Sequence, residues 1–94
     1  MSREKVALTL QVALLGEVSP ALRGVAFWAG DRDVRVVFYY HGPLSDEDRE
    51  SASCVVTEVI AALPEDIHVS EEVVRLDAPG KLPDPEAWAY RRRE

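Results

Sequence analysis

The chain has one cysteine, Cys54, and this excludes a disulfide framework. It has two histidines, His41 and His68, and neither stands at a zinc-ligand spacing from a cysteine or a carboxylate. Its five glycines are scattered, so no loop cradles phosphates, no dinucleotide fingerprint forms, and no serine sits in a nucleophile elbow. No apolar run approaches the ~20 residues that a bilayer-spanning helix needs. The start, Ser2-Arg3-Glu4-Lys5, is mixed in charge, and no cleavage site follows Leu15; the expected compartment is therefore the cytoplasm. Basic side chains are outnumbered 11 to 17, and the formal charge of −6 disfavours nucleic acid and anionic membranes as partners.

What is present suits a small globular fold. The 94 residues allow one domain, residues 1–94, and a hydrophobic fraction of 47% beside 30% charge argues against disorder. The stretch from Ser45 to Pro64 carries a helix with its start, face and stop written in. Ser45 is an N-cap, and Asp46, Glu47 and Asp48 place negative charge at the positive end of the helix dipole. Ala52, Val55, Val56, Val59, Ile60 and Leu63 recur at helical spacing, and Pro64 ends the segment. Cys54, beside that stripe, is expected to be a buried, inert thiol.

Ser2 to Leu15 reads as a first helix closed by Gly16, with Val6, Leu10, Ala13 and Leu14 on one face. Leu8, Val12 and Leu15 widen its stripe beyond one face, which implies deep packing or a second buried face in an oligomer. Leu22–Gly30 and Val34–Gly42 read as strands around an Asp31-Arg32-Asp33 turn. The second strand is apolar on both faces and is expected to be central. Gly24 marks a bulge or an edge in the first. Ile67–Leu76 forms a third strand of conflicting phase, which a bulge near Glu71-Glu72 would reconcile. Residues 78–85 form a surface loop rich in proline. Glu86–Arg92 forms a last strand with Trp88 and Tyr90 on one side. The expectation is an α+β fold, αββαββ, with a four-stranded mainly antiparallel sheet and two helices on one face.

No nucleophile is paired with a base, so no catalytic residue, cofactor or metal site is expected. The acidic cluster Asp46, Glu47, Asp48 and Glu50 lacks the alternation and central glycine of a calcium loop; it starts the helix and offers a contact to a basic protein. Because two helices cover one sheet face only, Trp28, Phe27, Tyr39 or Tyr40 is expected on the open face. There, with the strand arginines, they make a protein-interface composition; Trp28 and Tyr39 are the expected anchors. Arg23, Arg35 and Arg75 are expected to pair across strands with Glu71, Glu72 and Glu86.

The segments Arg23-Gly-Val-Ala-Phe, Val34-Arg-Val-Val-Phe-Tyr-Tyr-His-Gly, Leu44-Ser-Asp-Glu-Asp-Arg-Glu, Thr57-Glu-Val-Ile-Ala and Val74-Arg-Leu-Asp-Ala-Pro together resemble small bacterial immunity proteins of contact-dependent inhibition and other polymorphic toxin systems. The resemblance rests on fold-forming segments and carries no functional motif. It implies a non-enzymatic inhibitor that binds a cognate toxin, and the acidic surface suits a basic, nuclease-type one. Two other readings stand beside it. One is a small self-associating or subunit protein, for instance a homodimer, without a toxin partner. The other is an enzyme or ligand binder with a pocket around His41 and Tyr40.

Overall fold

The computed structural model describes residues 2–94. Its elements run α1 (Arg3–Ala13), β1 (Leu22–Ala29), β2 (Asp33–Tyr40), α2 (Asp46–Ala62), β3 (His68–Arg75) and β4 (Ala87–Arg91), the expected αββαββ order. Both helices begin where a serine can satisfy an orphan amide. The Ser2 hydroxyl accepts from the Lys5 N–H at 3.2 Å, and that of Ser45 from the Asp48 N–H at 3.0 Å. Gly16, at φ +81°, turns the chain after α1 in a backbone region that other residues rarely enter.

The sheet is mixed, in the order β3-β2-β1-β4. β1 pairs antiparallel with β2 and with β4, while β3 lies parallel to β2. α2 is the crossover that the parallel pair requires. β2 is flanked on both edges, as its two apolar faces foretold. Val34, Val36, Phe38 and Tyr40 face the helices and pack with Val6 and Leu10 of α1 and Val55 and Val59 of α2. Val37 and Tyr39 point to the other side, into a smaller cluster with Ala26 and Leu82.

Several local expectations are corrected. β3 runs in unbroken register with β2 from Asp33↔His68 to Tyr40↔Arg75, so there is no bulge at Glu71-Glu72. Its conflicting phase has another cause: Ile67, Val69 and Val73 serve the helix-side core, and Val74 and Leu76 serve the opposite cluster. The bulges lie elsewhere. Arg23 is an extra residue of β1 against β2, and Ala89 is an extra residue of β4 against β1. The second of these puts Trp88 and Tyr90 on opposite faces rather than one. Gly24 does mark a bulge, the one between Leu22 and Gly24, and it also leaves room for the Trp88 ring, from which a Cβ there would lie 2.6 Å. On α2, Ala52, Val55, Val56 and Val59 are buried, but Ile60 is 51% exposed and Cys54 is exposed, because the sheet takes only the middle of that wide stripe.

Residues 78–85 contain no helix or strand, as expected. They are more than a surface loop, however. Leu82 is 5% exposed and closes over Ala26, Val37 and Tyr39. The segment is held there by Arg23, a buried arginine at 2% exposure. Its guanidinium donates to the Leu76 carbonyl at 2.6 Å, to the Gly80 carbonyl at 2.8 Å, and through two N–H groups to the Glu94 carboxylate at 2.7 and 2.9 Å. This spends the arginine fork on planar acceptors that match it.

Candidate partner-binding surface

α2 begins just past the C-terminal end of β2, and its first turn is fixed from two sides. Ser45 caps it, and the buried Tyr40 hydroxyl donates to the Asp48 carbonyl at 3.3 Å. Burial first, then the nearby charges of Asp48 and Glu17, push the Tyr40 phenol up to about 12, so it stays protonated and keeps donating. Asp46, Glu47 and Glu50 are exposed around this anchored turn, and Asp48 is half-buried. The chain leaving α1 adds Glu17, which lines a shallow depression with Glu47, Glu50, Ser51 and Cys54. The sequence cluster thus gains a carboxylate from a separate element. Nothing in the local pattern around Glu17 marked it.

Trp28 is placed far from this ridge. It lies on the sheet face away from the helices, near the start of β2, where it pairs with Arg35. The Arg35 guanidinium sits 4.7 Å from the Trp28 ring centre and bonds Glu72 at 2.9 Å. Of the expected strand pairs, this is the one formed; Arg75 pairs with Asp77, and Glu86 pairs with Arg3. Tyr39 is on the same face as Trp28 but is only 7% exposed, beneath the 78–85 segment and edge-on to Trp88 at 6.1 Å. Burial raises its phenol. Phe27 and Tyr40 belong to the helix-side core and not to the open face. The acidic turn and Trp28 therefore occupy different faces and opposite ends of the sheet.

The histidines are also apart, His41 just beyond the end of β2 and His68 at the start of β3, opposite Asp33. His41 Nδ1 accepts the Ala78 N–H at 2.9 Å and helps seat the 78–85 segment. Among the described residues, no group of three His, Cys, Asp or Glu side chains is placed to hold a metal ion, and no helix is long and apolar enough to cross a membrane.

A further surface departs from simple burial. Leu8, Val12, Leu15 and Val18 are exposed along the outer side of α1 and the turn after it. The excess of apolar residues in the first helix was its signal. No curated protein matches the chain. The model of the MafI2 immunity protein family matches residues 3–94. The chain belongs to the MafI2 immunity protein family.

Proposed function

We propose that this protein neutralises a cognate toxin by binding it, without turnover, and that the toxin is a basic, nuclease-type domain met in the cytoplasm. The match of an immunity-protein family over residues 3–94 carries this reading. The surface supports it. A nuclease must present positive charge to phosphates, and the ridge of Asp46, Glu47, Asp48 and Glu50, extended by Glu17, offers complementary charge on a helix end held rigid by Ser45 and Tyr40. Trp28, under Arg35 on the other face, is a second contact of hot-spot composition. Tyr39 would act from beneath, by holding that face in shape.

The test is association of the purified chain with the toxin domain encoded in the neighbouring gene, followed against ionic strength. Glu47→Gln/Glu50→Gln keeps Ser45 and Asp48, so the cap survives and stability should change by only a few tenths of a kcal/mol. Association should slow about tenfold at low salt, and its salt dependence should flatten. An unchanged rate at low salt would reduce the acidic turn to a helix start.

A further inference from the structure

Beyond the acidic ridge, the two helices leave a furrow between them, and we infer that it receives an amphipathic basic helix of the toxin. The inference rests on the toxin-binding reading above and names the form of the partner. α1 and α2 run antiparallel on the sheet, since Glu17 after the end of α1 meets Glu47 and Glu50 at the start of α2. At the other end of the seam, Leu8 and Val12 of α1 face Glu58 and Ala62 of α2 across a shallow, largely apolar depression. A third depression lies on the crest of α2 itself, with no residue of α1. It shares Glu50 and Cys54 with the first and Glu58 with the second, so the α2 wall between the two seam depressions is itself open to a partner.

The two walls differ in character. Glu47, Glu50 and Glu58 fall at helical spacing along the α2 wall, a row of carboxylates. The α1 wall offers Leu8 at 63% and Val12 at 58% exposure. Solvation does not explain leucine and valine standing so exposed at the i, i+4 spacing of one helix face; a partner that buries them does. A helix with Lys or Arg along one side and aliphatic residues along the other would satisfy both walls at once, in the helix-in-groove mode. A second copy of this chain fits less well, because α1 and α2 would bring the same carboxylate row against itself.

Cys54, exposed on the α2 wall where the first depression meets the helix crest and the sole cysteine, makes the contact readable. Saturating toxin domain should slow alkylation of Cys54 about tenfold or more, read by mass spectrometry of its peptide. Leu8→Gln/Val12→Gln should speed dissociation about tenfold, as loss of buried anchors does. Glu50→Gln/Glu58→Gln should mainly slow association. Both variants alter exposed residues and should melt within a few degrees of the wild type, so misfolding is separable. Full binding with Cys54 still freely alkylated, or binding by Leu8→Gln/Val12→Gln within twofold of wild type, overturns the furrow and leaves the immunity reading standing. No binding by the wild type overturns both. A dimer in sedimentation that Leu8→Gln/Val12→Gln abolishes assigns the furrow to a second copy and overturns the proposal as well.

Discussion

On the helix-covered face of the sheet, Val25, Phe27, Val36 and Phe38 meet Val6, Leu10, Val55 and Val59, all but removed from solvent. On the other face, Ala26, Val37 and Tyr39 are covered by Leu82 alone among the fully buried residues, carried on a segment with no helix or strand of its own. The first face is stabilised chiefly by area spread over many side chains. The second is stabilised at points, chiefly the Arg23 fork on Leu76, Gly80 and Glu94 and the Ala78–His41 bond. Broad apolar contact resists local opening, because no part can leave without exposing the rest. A point-fastened flap can open alone. The two faces should therefore fail differently.

The harshest way to break the contrast is Val59→Asp. It places a carboxylate without a partner in the helix-side core and should cost on the order of 4 kcal/mol or more, out of a total of about 5–15 kcal/mol. Both faces should then be lost together, read as a cooperative melt displaced far below the wild type or already complete at room temperature. A melt within a few degrees of wild type would mean that the α2–sheet contact does not carry the fold.

A milder break is Arg23→Met. The Leu76 and Gly80 carbonyls lose their side-chain donor, and the Glu94 carboxylate keeps only Arg92, at a cost of about 1–3 kcal/mol. The damage should stay on one face: amide exchange should rise over residues 76–82 and 92–94 while α2 remains protected. Uniform loss of protection would show that the two faces are one cooperative unit.

The smallest effect sharpens the comparison through pH. The bond from Arg23 holds the Glu94 carboxyl down at about 2, against 4.5 ordinarily, with Arg92 adding to it and partial burial opposing. Asp77 is likewise held at about 2, against 3.8, first by its bond to Arg75 and then by the Gly42 N–H. Both folded values lie below the unfolded ones. Their stabilisation is thus complete above about pH 4.5 and is lost as pH falls towards about 2. Over that window near-UV signals from Trp88 should change before the far-UV helix signal does. Glu94→Gln should remove part of the early change, and identical titration curves for the two proteins would separate Glu94 from the acid response.

The sequence was most legible where one local rule acted alone. Ser45, the acidic first turn and Pro64 bounded α2 almost to the residue, and the two-faced apolar pattern of β2 marked it as central. Legibility failed where two surfaces competed for one element. β3 feeds two clusters, which a single alternating pattern cannot express, so its phase suggested a bulge that is absent. Cys54 and Ile60 flank a stripe broader than the sheet can cover, and spacing alone does not say which edge is left out. The Arg23 fastening was hidden because its partners lie 53 and more positions along the chain and because a bulge turns the side chain. For the candidate surface, the acidic turn was visible as composition, whereas Glu17 and the α1–α2 furrow arise only when the helices are laid side by side.

The seating of β4 has a consequence for synthesis. β4, the last of these elements in chain order, pairs with β1 and also lies against α1, the first of them, whereas the β1–β2 hairpin and the β2–α2–β3 unit join neighbours in the chain. Contacts this distant in sequence form slowly, since closing the intervening loop costs entropy before any contact repays it. A nascent chain can assemble its middle early, yet β1 stays an open edge, able to pair with other chains, until residues 87–91 have left the ribosome. The time between translating β3 and docking β4 is thus the interval in which a newly made molecule is most exposed to aggregation.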